Sequence, residues 1–239
     1  MITAAGVPWT GEGTGRNGHG KERVMNRNGK ENGEAALFEK AAAFATIAHS
    51  GQNRKGKDKP YILHPMEAAA IVGRCLDGLP EKNKSARKLR GEKDELLAAA
   101  VLHDVVEDAG VTREQLVKLF GVKVADLVMA ESEDKQKGKP EAETWKERKE
   151  KTIEKLGEKS TEAKLLCLGD KLSNLREIAT DYAVSGSVLW ERFNQKDPEM
   201  HAKYYRGILG ILEKDEALKG LPELREYRRL VDEVFGGRE

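Results

Sequence analysis

The sequence is poor in features that would commit it to a secreted or membrane-bound class of protein. It contains only two cysteines, Cys75 and Cys167, which lie in apolar stretches and lack CxxC spacing, so we expect buried thiols in a reducing compartment. No apolar run approaches bilayer length, and no charged-then-apolar signal segment is found among the first residues. We therefore expect a cytoplasmic protein that has no membrane association.

An excess of charge of one sign is also absent. Charged residues make up 35% of the chain, yet the formal net charge is only +1. This balance argues against broad electrostatic binding of nucleic acid or of an anionic membrane. Any anionic ligand would therefore have to be met by a local basic patch.

Aromatic residues are scarce at 5%, and runs of β-branched residues are short. Alanine and leucine supply most of the apolar side chains, which favours helices over sheets. We predict an all-α helical bundle of roughly eight to ten helices over residues 34–239. Residues 1–33 are rich in Gly, Asn, Arg and Lys and lack apolar periodicity, so we predict a disordered tail there.

Local patterns predict several helix boundaries. Residues 77–93 are polar and charged, and we expect them to form a connector. Asp94 is expected to cap the next helix, which continues through His103 and Asp104 to Asp108. Two capping boxes are predicted, at Thr112 with Gln115 and at Thr144 with Glu147.

Four potential metal ligands stand beside apolar stretches, namely His64, His103, Asp104 and Asp170. Taken singly, a histidine in such a place is more often a hydrogen-bonded core residue. A carboxylate is costly to bury there unless it is paired or bound to a metal. Two imidazoles and two carboxylates form a donor set that suits Mn²⁺, Fe²⁺ or Mg²⁺. Because the chain has only five histidines, we expect one metal ion.

The neighbourhood of His103 strengthens the metal interpretation. On a continuous helix His103 faces Glu107, and Asp104 faces Asp108, each one turn apart. One helical surface would then carry a histidine and three carboxylates, which repel one another unless a cation gathers them. Glu107 and Asp108 are therefore candidates for the carboxylate base that activates water.

A basic loop at residues 52–61 carries four cations. It is either a solvated surface loop or a clamp for a phosphate or a nucleobase, and its closeness to His64 in sequence favours the clamp. The cations of the loop are Arg54, Lys55, Lys57 and Lys59.

Two further polar residues are candidates for substrate contacts. Asn174 lies one turn after Asp170, so its amide can reach the same cavity and contact a ribose or a phosphate. Lys135 follows an acidic run and is either a second phosphate contact or part of a solvated charge run.

Four separated motifs, taken in order, resemble the hydrolase domain of RelA/SpoT-type enzymes, and most closely the small stand-alone alarmone hydrolases. They are AHSGQNRKGKDKPYILHP, LLAAAVLHDVVEDAG, ESEDK and LGDKLSNLR, and the resemblance runs from about residue 35 to about residue 205.

The resemblance implies an HD-type helical bundle and metal-dependent hydrolysis of the alarmone ppGpp, guanosine 3′,5′-bis(diphosphate), to GDP and pyrophosphate, and of pppGpp to GTP. It implies one Mn²⁺ ion, and it leaves the oligomeric state open. The residues that it implicates are His64, His103, Asp104 and Asp170 as metal ligands, Glu107 and Asp108 for the attacking water, and Arg54, Lys55, Lys135 and Asn174 for the guanine nucleotide.

The last motif departs from the ADRxHN pattern that is usual in the long enzymes. Lys171 and Ser173 replace its arginine and histidine, and Glu177 stands where a small hydroxyl residue is common. We expect these changes to affect the nucleoside side of the pocket more than the metal. They leave open another nucleotide as substrate, such as NADPH at its 2′-phosphate or a nucleoside phosphate, and a non-catalytic alarmone-binding module.

Overall fold

The structure, a computed structural model, describes residues 36–132 and 140–236. The predicted tail at residues 1–33 and the candidate Lys135 lie outside these ranges. The described residues form eleven α-helices, one 3₁₀ helix and no strand, so the all-α prediction is confirmed with one helix more than expected. The helices are α1 (Leu37–Ala48), α2 (Leu63–Gly78), α3 (Lys84–Gly91), α4 (Lys93–Leu102), α5 (Val105–Ala109), α6 (Arg113–Phe120), α7 (Val122–Glu131), α8 (Glu141–Glu158), α9 (Thr161–Ser185), the 3₁₀ helix (Gly186–Arg192), α10 (Pro198–Leu212) and α11 (Pro222–Phe235).

The predicted connector at residues 77–93 is wrong, because it contains α3. The side chain of Asn83 caps this helix by accepting a hydrogen bond from the backbone N–H of Ala86 at 3.0 Å. Only Ala86 and Leu89 of the helix are buried. Two buried apolar residues in a charged stretch are a weak sequence signal for a helix, although their spacing of three residues is typical of one.

The predicted continuous helix from Asp94 is also wrong, because the chain breaks between α4 and α5 at His103 and Asp104. The cap of α4 is Glu92 and not Asp94. At the break, Nδ1 of His103 lies 2.8 Å from the carbonyl oxygen of Ala100. That oxygen would accept from the backbone N–H of Asp104 in an unbroken helix, so the side chain competes with the helix for it.

One of the two predicted capping boxes is confirmed and the other is wrong. The backbone N–H of Thr112 donates to the side chain of Gln115 at 2.8 Å, and the backbone N–H of Gln115 donates to the hydroxyl of Thr112 at 3.3 Å. Thr144 lies inside α8, which begins directly after Pro140. Its hydroxyl accepts a hydrogen bond from Nε of Arg148 at 3.1 Å.

The long helix α9 is the centre of the bundle and packs against α2, α4, α7 and α11. At Gly169 a Cβ atom would lie 2.8 Å from Cγ2 of Val72 and 2.9 Å from the carbonyl oxygen of Ala68. The missing side chain therefore lets α2 and α9 approach closely. This contact brings Asp170 on α9 beside His64 on α2. Among the described helices, none combines the length and the apolar character that a membrane span requires.

Candidate metal centre

The four predicted metal ligands converge from three parts of the fold. Nε2 of His64, in the first turn of α2, lies 3.2 Å from Oδ1 of Asp170 and 3.6 Å from Oδ2 of Asp104. Nε2 of His103 lies 2.9 Å from Oδ2 of Asp104 and 3.6 Å from Oδ1 of Asp170. Ligand atoms of His64, His103 and Asp170 all lie within 4.8 Å of one another. The four side chains are therefore close enough to share one ion.

A hydrogen-bond chain orients the ring of His64. The hydroxyl of Ser173 donates to Oε2 of Glu67 at 2.9 Å, so its oxygen accepts from Nδ1–H of His64, also at 2.9 Å. This fixes the proton on Nδ1 and turns the Nε2 lone pair towards the aspartates. Because burial lowers the pKa of His64, the ring is neutral at ordinary pH.

The ring of His103 is held through its Nδ1. Since the carbonyl oxygen of Ala100 can only accept, Nδ1 of His103 carries a proton, and the buried Nε2 faces Oδ2 of Asp104 at 2.9 Å. Burial alone would lower the pKa of His103, but the charges of Asp104 and Asp170 raise it well above its usual value. The cluster therefore attracts positive charge, and a divalent ion among these four donors would satisfy both rings and both carboxylates.

The two aspartates are held by further side chains. The hydroxyl of Tyr61 donates to Oδ2 of Asp104 at 2.6 Å, and burial together with the charge of Asp104 raises the pKa of Tyr61, which keeps the hydroxyl protonated. Asp170 accepts from the amide of Asn174 at 2.7 Å and pairs with the ammonium group of Lys171. Both carboxylates are thus fixed in place around the candidate ion site.

The expectation that Lys171 and Ser173 affect mainly the nucleoside side of the pocket is wrong. Lys171 pairs with Asp170, and Ser173 contacts His64, so both lie against predicted metal ligands. Sequence reasoning also missed Tyr61, which lies in the turn that precedes α2, three residues before His64. Its nearness to His64 in the sequence was the available signal.

A cavity of about 310 Å³ opens over the four predicted ligands. Glu107 and Asp108 both line it, from α5 and not from an extension of α4. Glu107 is half-buried and Asp108 is exposed. These two carboxylates therefore reach the cavity, although the continuous helix on which their placement was predicted does not exist. Glu131 also lines the cavity, and burial raises its pKa.

Arg54 reaches the cavity from the basic loop. Its Nε donates to Glu177 at 2.7 Å, its Nη2 donates to Oδ1 of Asn174 at 2.7 Å, and its guanidinium lies 5.5 Å from the centre of the Tyr61 ring. The edge of the guanidinium that carries these two nitrogens is thus occupied. What the group offers to a ligand is its other edge and its flat face.

The other cations of the loop are turned away from the cavity, since none of them lines it. Lys57 lies 3.2 Å from Glu177 and 2.7 Å from Asp181, and Lys59 lies 3.3 Å from Glu177. Lys55 donates to Oδ1 of Asn194 at 2.7 Å. Most of the loop is therefore neutralised by α9, and a role for Lys55 in substrate binding stays a prediction.

The helical fold and the His–Asp cluster at the floor of a cavity define a metal-binding protein of the HD type. The chain belongs to the HD domain family, which matches residues 41–194. The resemblance found in the motifs is thereby confirmed, and membership implies a divalent metal, for which the His–Asp cluster is suited.

Two curated relatives are called guanosine-3′,5′-bis(diphosphate) 3′-pyrophosphohydrolase MESH1. The mouse protein is 34% identical over 195 residues, which cover 80% of this chain and 96% of the relative. The human protein is 34% identical over 193 residues, which cover 79% and 94%.

Two solved structures are similar to most of this chain. One, described as a metazoan ortholog of SpoT that hydrolyses ppGpp, is 27% identical with a TM-score of 0.56 and covers 85% of this chain and 96% of its own. The other, a crystal structure from Listeria monocytogenes, is 32% identical with a TM-score of 0.57 and covers 77% and 100%.

Proposed function

We propose that the protein hydrolyses ppGpp to GDP and pyrophosphate, and pppGpp to GTP and pyrophosphate. The observation that carries this proposal is the convergence of His64, His103, Asp104 and Asp170 beneath a cavity that Arg54 also reaches. Relatives that align over nearly their whole length carry the name of this activity.

The resident ion in this proposal is a single Mn²⁺. The donor set supports it, because two imidazole nitrogens and two carboxylates suit a borderline-hard divalent ion. An ion of this kind would lower the pKa of its bound water and polarise a phosphoryl oxygen.

Glu107 and Asp108 are proposed to hold the attacking water and to accept its proton on a carboxylate oxygen. The water oxygen bonds to the phosphorus on the 3′-oxygen of the ribose, the bond from that phosphorus to the 3′-oxygen breaks, and the 3′-oxygen leaves with the proton that the carboxylate accepted. The position of Glu107 and Asp108 at the cavity wall beside Asp104 supports this role.

Arg54 and Asn174 are proposed to bind the nucleoside, because both line the cavity and are hydrogen-bonded to each other. Lys55 and Lys135 remain proposed contacts to the guanine nucleotide on the resemblance alone. We further propose that residues 34–239 form one HD-type unit. Cys75 and Cys167 are free and buried, which supports a proposal that this unit works in the reducing cytoplasm.

The deciding experiment is a hydrolysis assay with ppGpp, pppGpp, NADPH and simple nucleoside phosphates, each with Mn²⁺ and with excess chelator. We expect pyrophosphate and GDP from ppGpp, and loss of turnover with chelator. If only NADPH is turned over, with release of orthophosphate, the substrate is this other nucleotide and not an alarmone. Tight binding of ppGpp without turnover in Mn²⁺ would identify a non-catalytic binding module.

A further inference from the structure

The cavity needs cations for a strongly anionic ligand, and the predicted basic loop supplies only Arg54. Glu177 and Asp181 neutralise Lys57 and Lys59 outside the cavity. Since the whole chain is close to neutral, the charge that meets an anion must be concentrated elsewhere in the cavity wall.

Helix α8 forms that wall. The residues through which α8 and its C-cap line the cavity are Arg148, Lys149, Lys151, Thr152, Lys155 and Lys159. All but one of these are cationic, and none is acidic.

The acidic side chains of α8 lie elsewhere. Of those that the structure describes, none lines the cavity; they are Glu143, Glu147, Glu150, Glu154 and Glu158. The helix therefore carries both signs of charge but presents a purely basic face to the cavity. The acidic residues recur every three or four positions, which places them together on a side of the helix away from the cavity.

The basic face has a fixed part and an exposed part. Arg148 is buried against Thr144, the ammonium of Lys149 lies 5.0 Å from the centre of the Tyr204 ring, and Lys159 pairs with Glu131 at 3.4 Å. Lys151 and Lys155 are exposed and stand one turn apart on the same side of the helix.

The ion pair that Lys151 makes with Glu147 at 2.6 Å, across one exposed turn, is of a weak kind. Both Lys151 and Lys155 carry their ammonium groups on long, exposed side chains at the cavity wall, from which they can reach an anion in the cavity. Charges of like sign at this spacing repel each other, and an anion between them would remove that repulsion.

We propose that this basic face of α8 is a subsite for a phosphate chain of the substrate, with Lys151 and Lys155 as its movable contacts. This inference rests on the proposed function, since it places a nucleotide across the metal centre with its base beside Arg54 and a phosphate chain along α8. The chain is either the 5′-phosphates or the 3′-diphosphate, which have the same chemistry. Ammonium groups along a helix suit it because they bind phosphate oxygens as point charges.

The test is the Lys151→Ala/Lys155→Ala double variant. We expect KM for ppGpp to rise about tenfold and kcat to change by less than about twofold, because neither ammonium touches the metal ligands. Guanosine 3′-diphosphates with one, two and three 5′-phosphates identify the chain. If the rise in KM of the double variant grows with the number of 5′-phosphates, the 5′-phosphates lie along α8. If the rise in KM is equal for all three substrates, the 3′-diphosphate lies there. An unchanged KM with every substrate overturns the subsite.

The matched control is Lys146→Ala/Lys203→Ala, which removes the same charge from exposed positions outside the cavity. We expect its KM to equal that of the wild type, and an equal rise would show an effect of net charge only and overturn the subsite. Binding of inorganic tripolyphosphate to the chelator-treated protein separates the two proposals. If the wild type fails to hydrolyse ppGpp but binds tripolyphosphate about tenfold more tightly than the double variant, the proposed function fails and the subsite stands.

Discussion

The hydroxyl of Ser173 decides which nitrogen of His64 faces the candidate ion. It donates to Glu67 and accepts from Nδ1 of His64, and it is almost fully buried. We expect Ser173→Ala to weaken metal binding about tenfold to a hundredfold, because the ring loses the partner that fixes its tautomer and orientation. Titration of Mn²⁺ against a competing chelator measures this.

Ser132→Ala is the matched control for that change. Ser132 also lines the cavity, but it caps α7, and its hydroxyl donates to the carbonyl oxygen of Val128 in that helix at 3.1 Å. We expect its metal affinity to equal that of the wild type. Equal losses in both variants would mean that Ser173 acts by filling space and not by orienting His64.

Glu107 tests the assignment of the general base. Replacing it by Gln keeps the shape of the side chain but removes the carboxylate that would accept a proton. We expect Glu107→Gln to keep its bound metal and to lose kcat by about a hundredfold to ten-thousandfold. Metal content and single-turnover rates on the same preparation give the answer, and loss of the metal would make Glu107 a ligand instead.

At the scale of helices, the contact of α2 with α9 sets the distance between His64 and Asp170. A Cβ at Gly169 would meet the backbone of Ala68 and the side chain of Val72, neither of which can move easily. We expect Gly169→Ala to lower the free energy of unfolding by about 1–3 kcal/mol, despite the better helix propensity of alanine, and to weaken metal binding. Chemical denaturation and metal titration measure the two effects.

Gly210→Ala is the control, since Gly210 also lies within a helix but a Cβ there would meet nothing within 4 Å. Alanine should raise stability there by about 0.5–1 kcal/mol and leave metal affinity unchanged. If both variants behaved alike, close approach of α2 and α9 would not be what Gly169 provides.

The basic loop is docked on α9 through Glu177. Burial alone would raise the pKa of Glu177, but Arg54 outweighs it and lowers the pKa to about 2 from an ordinary value of 4.5. Because the folded pKa is depressed, the stabilisation is fully present above about pH 4.5 and is lost as the pH falls through about 2.

Glu177→Gln should therefore lower the free energy of unfolding at pH 7 by about 1–2 kcal/mol, less than the full shift implies because the pair is partly solvated. The difference from the wild type should shrink between pH 4 and pH 2. Denaturation at several pH values checks this, and a difference that stays constant with pH would exclude the Arg54 pair as its source.

Local sequence patterns predicted the helical class, which is confirmed, and four candidate ligands, which the fold brings together, because apolar periodicity and motif spacing are short-range signals. They did not predict that Glu177 would neutralise the basic loop, since Arg54 and Glu177 are 123 residues apart. The break at His103 was not predicted either. A side chain that hydrogen-bonds to a backbone carbonyl does not change the spacing of apolar residues in the sequence. The basic face of α8 was hidden in a helix whose acidic and basic residues alternate in sequence and separate only in three dimensions.

At the scale of the molecule, one ion would join α2, the junction of α4 with α5, and α9. Metal binding to the folded chain alone raises its stability, by about 2.7 kcal/mol when free metal is a hundred times its Kd. For a chain of this length, that corresponds to a rise in Tm of about 5–10 °C. We expect chelator to lower the Tm by this amount and added Mn²⁺ to restore it, as followed by circular dichroism at 222 nm.

The Asp104→Ala variant shows whether the rise in Tm with Mn²⁺ comes from metal binding at this centre or from metal bound elsewhere on the protein. The variant should keep its helical signal, lose hydrolysis and show no rise in Tm with Mn²⁺, because Asp104 is a proposed ligand that lies 2.9 Å from Nε2 of His103. Asp126→Ala removes an exposed carboxylate that pairs with Arg113, so it should keep both the activity and the metal-dependent Tm. If Mn²⁺ raised the Tm of Asp104→Ala as much as that of the wild type, the ion that stabilises the fold would lie outside the four-ligand cluster.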